Sequence, residues 1–324
     1  KAFDVVSHPK LLFKIAQLGI HPNTRNWIKS WLENRSHRVT VNGVTSSSKL
    51  VTSGVPQGSV LGPLLFLIYI NDMPDSIYHS TLKLFADDSL LYHNIENHSD
   101  QSSLQTDLNN LISWSQKWQM HFNASKCETM RITRSTSNIT CPSYCINNTQ
   151  LDSVDSVKYL GVNIDHKLNF KNHIIKICKK ANDTLHMLMR SLKRAQTLTR
   201  ITAYKSLCRP ILEYATIVWS PHTDKLIKLI EAVNRKAFRW CYKIPKYDRI
   251  SATMSLENWQ TLKFRRESAD IRMYSRIMSG KASIDPQRFT LNQCEHDTRM
   301  GGIRDTVNTD VKRFSYQHRI HKIL

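Results

Sequence analysis

Apolar side chains recur along the chain with two periods, and the switches between them outline its elements. Over residues 8–18 they fall at Leu11, Leu12, Ile15, Ala16 and Leu18, a helical spacing closed by Gly19. Residues 23–32 place Trp27, Ile28, Trp31 and Leu32 on one stripe and predict a second helix. The period drops to two in Arg38-Val-Thr-Val, which runs into Asn42-Gly43, a hairpin signal with residues 49–52 as the return strand. Ser53-Gly-Val-Pro-Gln-Gly-Ser59 then reads as a loop. It leads into residues 60–70, a run too apolar for a surface helix and expected to be buried. Pro63 suits the first turn of that helix, where its missing N–H loses no partner.

Two β-prone runs follow, Thr81–Phe85 and residues 89–92, with Ala86-Asp87-Asp88 between them as a tight hairpin tip. An amphipathic helix is expected over 100–119 (Leu104, Leu108, Leu111, Ile112, Trp114, Trp118), then strands near 128–133, 143–147 and 155–164. After Asp165 strands stop and basic helices begin, over 170–194, 197–209 and 223–241, which places a boundary near 166. A helix over Leu262–Met278 and a weakly patterned basic tail complete the chain.

Composition changes this picture in two ways. Apolar residues at 40% and charged residues at 22% of 324 positions describe a chain that folds, with length for two packed units. Lys and Arg number 46 against 26 Asp and Glu, a net charge of +20. Such an excess repels itself unless a polyanion binds, so nucleic acid is the first partner expected and an anionic membrane surface the second. Seven cysteines at irregular spacing do not form a secreted disulfide framework. Cys178 and Cys208 sit in apolar helical patterns, Cys141 and Cys145 lack a second pair at zinc spacing, and a reducing intracellular compartment fits. No signal peptide opens the chain, and the run at 60–70 falls short of the ~20 residues of a membrane span. The chain opens on Lys1 rather than Met and reads as a piece of something longer.

The sharpest chemical feature is Phe85-Ala-Asp-Asp88. Adjacent carboxylates at a hairpin tip make a hard-oxygen site suited to Mg²⁺. Alone they are a weak signal, more often an ordinary surface turn than a metal site. Upstream, Gly54 and Gly58 let backbone approach a ligand closely, and the Gln57 amide can reach a nucleotide or base edge.

These stretches resemble the palm blocks of reverse transcriptases of non-LTR (LINE-type) retrotransposons. Residues 53–66 are similar to their motif B, Phe85–Asp88 to motif C, and Lys1-Ala-Phe-Asp4 to the end of motif A. Residues 114–128, with Asn123 and Lys126, resemble motif D, and Lys158-Tyr-Leu-Gly-Val162 resembles motif E. Residues 204–215, Val218-Trp-Ser-Pro221 and Ile230-Glu231 resemble the helical thumb, so the likeness covers about residues 1–245. It implies an α+β fold: a right-hand polymerase palm, an antiparallel sheet with packed helices, over 1–165, and an all-α thumb over 166–245. Residues 246–324 would be a mostly helical basic region without an assigned role, and the fingers are missing. It also implies an RNA-directed DNA polymerase that extends a primer 3′-hydroxyl with two Mg²⁺ ions, for which Mn²⁺ can substitute. Asp87 would be a metal ligand with Asp88 as its weaker supporter, and Lys126 a general acid to pyrophosphate or a positioning charge. Phe3 would be the steric gate against a ribose 2′-hydroxyl, with Gln57, Gly58, Phe85 and Ala86 beside the nucleotide. Tyr159, Leu160 and Gly161 would form the primer grip.

The implied partners are an RNA template, a DNA primer and dNTPs, with element-encoded RNA in a ribonucleoprotein of nucleus and cytoplasm, and no membrane. Lys171, Lys176, Lys179, Lys180, Arg190, Lys193, Arg194 and Arg200 stud helices whose other face is apolar. They are candidate phosphate contacts, which set affinity without reading sequence; a solvated face is the plain alternative for about half of them. One departure stands out. The family's first metal-binding Asp precedes the gate aromatic, at a position that falls before Lys1. Weak metal binding and no polymerase activity are therefore expected of this chain by itself. A group II intron-type maturase and a non-catalytic, domesticated RNA-binding relic are the alternatives. Arg209-Pro-Ile-Leu-Glu-Tyr214 weighs against the first, and intact motifs B and C against the second.

Overall fold

The computed structural model describes residues 2–133, 142–282 and 284. They form an α+β chain whose packing divides it into two units: residues 2–131 with 142–154, and residues 132–133 with 155–284. The division falls ahead of the hairpin at 156–165, not after it near 166. Cys141, Cys294 and the tail beyond 284 lie outside the described residues.

The first unit opens with α1 (His8–Gln17) and α2 (Pro22–Leu32), close to their expected limits. The Asn42-Gly43 signal does make a hairpin, but its return strand differs. Strand β2 (Thr40–Val41) folds back at once on β3 (Val44–Thr45), because a two-residue turn fixes the register. The expected return strand, β4 (Lys49–Leu50), instead pairs with the earlier β1 (Ser36–His37). Helix α3 (Leu61–Ile70) buries only one side, through Gly62, Leu65, Phe66, Tyr69 and Ile70. Leu64 and Leu67 stay about half exposed, at 53% and 48%, so the expectation of full burial is corrected. Strands β5 (Thr81–Phe85) and β6 (Asp88–Tyr92) form the hairpin of the two aspartates. Helix α4 (His98–Trp118) begins at a capping box, in which Asn97 and Asp100 bond each other's backbone N–H. Short strands β7 (Glu128–Thr129), β8 (Cys145–Ile146), β9 (Thr149–Gln150) and β10 (Asp152–Ser153) close the unit.

Among the described residues the strands pair in twos, and β7 with β10 is parallel. The antiparallel sheet expected of this region is present among these residues only as two-stranded pairs, and the helices supply most of the core. That core gathers Leu11, Ile15, Ile28, Leu32, Leu65, Phe66, Tyr69, Leu82, Trp114 and Trp118. Within it Lys14 is only 5% exposed. Its ammonium lies 2.5 Å from Asp72 Oδ1, donates to the Tyr69 carbonyl and sits 3.7 Å over the Trp118 ring. Trp114 Nε1 donates to the same Asp72 oxygen at 3.1 Å. Burial lowers the Lys14 pKa, against the raising effect of Asp72.

The second unit begins with the hairpin β11 (Ser156–Tyr159) and β12 (Val162–Asp165), where one strand over 155–164 had been expected. Helix α5 (Lys171–Ser191) follows. The expected helix over 197–209 is α6 (Thr197–Ala203), a π-helical turn (Tyr204–Cys208) and α7 (Arg209–Glu213). Pro210 explains the widened turn, since a proline ring clashes with the carbonyl four residues back in a regular helix. The unit is completed by α8 (Thr216–Trp219), α9 (Asp224–Tyr242), α10 (Ser251–Leu256) and α11 (Leu262–Met278). Cys178, Cys208 and Cys241 are core residues whose thiols burial pushes up to about 11, about 12 and about 12, so they serve as small hydrophobes. At the centre Asn234 Oδ1 accepts from Tyr204 Oη and Trp259 Nε1, both at 2.9 Å. No helix of the described residues is long and apolar enough to cross a membrane.

Asp107 of α4 is fully buried and its carboxylate accepts from the backbone N–H groups of Tyr78, His79 and Ser80 at 3.1, 2.9 and 2.6 Å. It thereby anchors the segment that enters β5. Burial alone would raise its pKa, but these hydrogen bonds outweigh it and hold the carboxyl below its ordinary value. A depressed carboxyl pKa stabilises the fold above the unfolded-state value and ceases to do so as pH falls through the folded one. We expect Asp107→Asn to cost about 2–3 kcal/mol at neutral pH. In urea unfolding followed from neutral to acid pH, the gap between variant and parent should narrow below about pH 4. A gap independent of pH would show that the charge is not what holds the segment.

Candidate active site

The N-terminal segment is strapped to the Gly/Pro-rich loop. Val55 N–H donates to the Phe3 carbonyl and Gly54 N–H to the Val6 carbonyl, each at 2.8 Å. Ser53 Oγ donates to the Asp4 carbonyl at 2.9 Å, and His8 Nε2 meets the Gly54 carbonyl at 2.7 Å. Gly54 has φ +90°, and a Cβ there would stand 2.8 Å from the Asp4 backbone. Both the conformation and the crossing demand glycine. Gly62 plays a second steric role: its Cβ would lie 2.4 Å from the Pro56 carbonyl oxygen. Ser59 Oγ donates to that same oxygen and accepts the Gly62 N–H, fixing the loop where α3 begins.

The strap brings three candidate residues together. Phe3 stacks on Phe66 of α3 with ring centroids 4.3 Å apart, so it is a packed aromatic as well as a candidate gate. Gln57 Nε2 donates to Asp4 Oδ1 at 2.8 Å. A carboxylate only accepts, so the Gln57 amide turns its nitrogen toward Asp4 and keeps Oε1 for another donor. Gly58 has φ +80° with open space where a Cβ would stand, as close approach by a ligand requires.

In the β5–β6 hairpin Phe85 pairs with Asp88, and Ala86-Asp87 is the connection. Leu82, Leu84 and Leu91 face the core that also holds Phe3 and Phe66, and Ala86 packs against it. Phe85 is 63% exposed, and Asp87 and Asp88 are both exposed. Ala86 adopts φ 51°, a left-handed conformation rare for a residue with a Cβ, and such outliers cluster at functional sites. The two carboxylates are hard oxygen donors and could hold a divalent cation. Among the described residues no group of three His, Cys, Asp or Glu side chains could do so. Lys126 is exposed at the end of a 3₁₀ turn (Ala124–Lys126) capped by Asn123, whose Oδ1 accepts the Ser125 N–H at 3.2 Å.

In the second unit Tyr159 closes β11, and Leu160-Gly161 form the turn with φ 43° and 83°. Lys171, Lys176, Lys179, Lys180 and Arg190 are exposed on α5, turned away from its buried residues Ile174, Cys178, Ala181, Leu185 and Leu188. Lys193 and Arg194 are exposed just beyond that helix. Arg200 is a correction. It is 4% exposed, donates to the Trp240 and Lys193 carbonyls at 3.0 and 2.7 Å, and is a buried bracket between helices that phosphate cannot reach.

The family model described as reverse transcriptase (RNA-dependent DNA polymerase) matches residues 1–164. The chain belongs to the reverse transcriptase family. It is 32% identical over 77% of its length to the RNA-directed DNA polymerase from mobile element jockey of Drosophila funebris. Identity is 30% over 77% to the jockey protein of Drosophila melanogaster. To the probable RNA-directed DNA polymerase from transposon X-element of the same fly it is 32% over 74%. These matches cover 28%, 28% and 27% of the relatives, so the chain spans under a third of their length.

Within this reverse transcriptase chain, Asp4, His8 and Gly62 are parts of the site that spacing alone did not single out. A Ser-x-x-Gly step before an apolar helix was the available signal for Gly62. Asp4 and His8 become visible only once the loop folds back on them. We expect Gly54→Ala to destabilise the chain by roughly 2–4 kcal/mol, since it adds a backbone clash to an unfavourable φ. Gly58→Ala, with the same sign of φ but open space, should cost about 1 kcal/mol. Equal losses in thermal or urea unfolding would mean that the Asp4 crossing is not the constraint.

Proposed function

We propose that the first unit is the palm of a non-LTR-type reverse transcriptase and the helices of the second unit its thumb. One observation carries this: the gate candidate Phe3, the helix behind the Gln57 loop and the Asp87–Asp88 hairpin all pack on a single hydrophobic cluster. Residues far apart in sequence thereby rest on one core, which favours the reading of a common site for templated nucleotide addition. Asp87 and Asp88 would hold Mg²⁺, which when bound lowers the charge cost of joining a 3′-hydroxyl to a nucleotide triphosphate. Phe3, braced by Phe66, excludes a ribose 2′-hydroxyl by filling its space. Gln57, oriented by Asp4, presents Oε1 as an acceptor to the nucleotide or template base, and open backbone at Gly58 lets the ligand come close. Lys126 supplies a positive charge or a proton to departing pyrophosphate. The hairpin turn at Leu160-Gly161 meets the primer end.

The partners on this proposal are an RNA template, a DNA primer and dNTPs, within an element-encoded ribonucleoprotein of nucleus and cytoplasm. The exposed cations of α5 follow the duplex backbone, consistent with the net charge of +20. Two adjacent carboxylates are a thin donor set for a metal pair, so we expect the 324-residue chain by itself to bind primer–template without extending it. Incorporation of dTTP by the purified chain on poly(rA)–oligo(dT) with Mg²⁺ would contradict that expectation.

Binding is checked separately. The affinity for an RNA–DNA hybrid should fall linearly with log salt, and Lys176, Lys179 and Lys180 changed together to Gln should flatten the slope by roughly 2–3. Arg200→Gln should lower stability instead, with the slope kept. A parent chain whose affinity ignores salt would remove the basic face from the mechanism.

A further inference from the structure

The β11–β12 hairpin is held by Tyr214 at its turn and by His173 on its second strand, with Trp219 linking the two. Tyr214 Oη donates to the Leu160 carbonyl at 2.9 Å. Its ring lies so close over the turn that a Cβ on Gly161 would stand 3.3 Å from Tyr214 Cε1. Trp219 Nε1 in turn donates to the Tyr214 carbonyl at 2.7 Å. The Trp219 ring meets His173 edge-on, with centroids 5.3 Å apart. His173, 3% exposed, accepts the Asn163 N–H at Nδ1, 3.2 Å away, on the strand just past the turn. The contacts close a loop: from Leu160 through Tyr214, Trp219 and His173 back to Asn163.

Local backbone geometry shows why Tyr214 can reach. It ends α7 in an extended conformation (ψ 127°), and Ala215 next to it takes φ 53°, so the chain turns sharply and throws the ring outward. Tyr214 as a residue is 58% exposed, yet its hydroxyl bonds the turn and its ring lies against Gly161. Positive φ at both Leu160 and Gly161 makes this a tight two-residue hairpin connection, and Leu160 holds its strained conformation under an external brace.

We infer that Tyr214 is a positioning residue for the 3′ end of the DNA primer, acting through the Leu160-Gly161 turn, with Trp219 and His173 as its backing. The inference rests on the proposed primer-grip role of that turn. A turn braced in this way offers a fixed backbone surface to a strand end; without the brace the same turn samples other conformations and the end is held less firmly.

The test uses the full 324-residue chain and two probes that need no catalysis. Tyr214→Phe removes one hydroxyl from an exposed position, and Gly161→Ala presses a methyl against the ring. Amide exchange at Gly161 and Val162 should quicken at least about threefold in Tyr214→Phe, while the thermal midpoint stays within a few degrees. Fluorescence anisotropy then compares an RNA–DNA hybrid having a recessed DNA 3′ end with a blunt one. Tyr214→Phe should bind the recessed hybrid about three- to tenfold more weakly and the blunt hybrid as the parent does, and Gly161→Ala should weaken binding to the recessed hybrid at least as much. Unchanged exchange in Tyr214→Phe would overturn the brace. Faster exchange with recessed-end binding intact would overturn its role toward the primer. A parent chain that does not distinguish the two hybrids would instead sink the primer-grip reading itself.

Discussion

Where the loop at 53–58 crosses the N-terminal segment, backbone meets backbone with room for a hydrogen atom and nothing larger. Gly54 carries that contact, and the bonds from Val55 to Phe3 and from Gly54 to Val6 run on either side of it. This crossing positions the rest of the site. It sets Phe3 on Phe66, places Asp4 beside Gln57, and fixes the loop from which α3 sends Phe66, Tyr69 and Ile70 into the core. The β5–β6 hairpin rests on the same core through Leu82 and Leu84, and Asp107 holds the segment that enters it.

Buried polar groups supply the specificity that apolar packing lacks. Asp107 fixes the entry to β5 by three N–H groups, and the Lys14–Asp72 pair joins α1 to the end of α3 and, through Trp114, to α4. In the other unit Asn234 ties α9 to the π-helical turn and to Trp259. Each of these groups is costly to bury without its partners, so each penalises alternative packings more than it strengthens the native one.

Much of this was legible in the sequence where a single residue type forces a conformation. Asn42-Gly43 gave a hairpin, and helical spacing located α1, α4 and α11 closely, although the Asn97–Asp100 capping box that starts α4 went unread. Misreadings arose where the deciding partner is distant. Val44–Thr45 rather than 49–52 returns from the first hairpin because turn geometry outranks β-propensity farther along. The break at Leu160 is hidden because leucine carries no turn signal; a ring from Tyr214 holds it in place. Arg200 shares the basic spacing of its neighbours, yet the carbonyls of Trp240 and Lys193 draw it inside. Lys14 is buried among apolar residues, and its partner Asp72 lies 58 residues farther along the chain, beyond the reach of any local pattern.

The braced turn also bears on how the chain divides. A boundary placed by composition near 166 assigns the β11–β12 hairpin to the part that precedes it, since basic helices begin only after Asp165. Packing assigns the hairpin to those helices. Asn163 bonds His173 at the start of α5, and Leu160 bonds Tyr214 at the end of α7, so the hairpin is held between two points of one helical body. Any motion of these helices carries the turn with it. On the proposed function, the surface that would meet a primer end and the helix face that would follow the duplex backbone belong to one packed unit, so register along the duplex would be kept without a contact to any base.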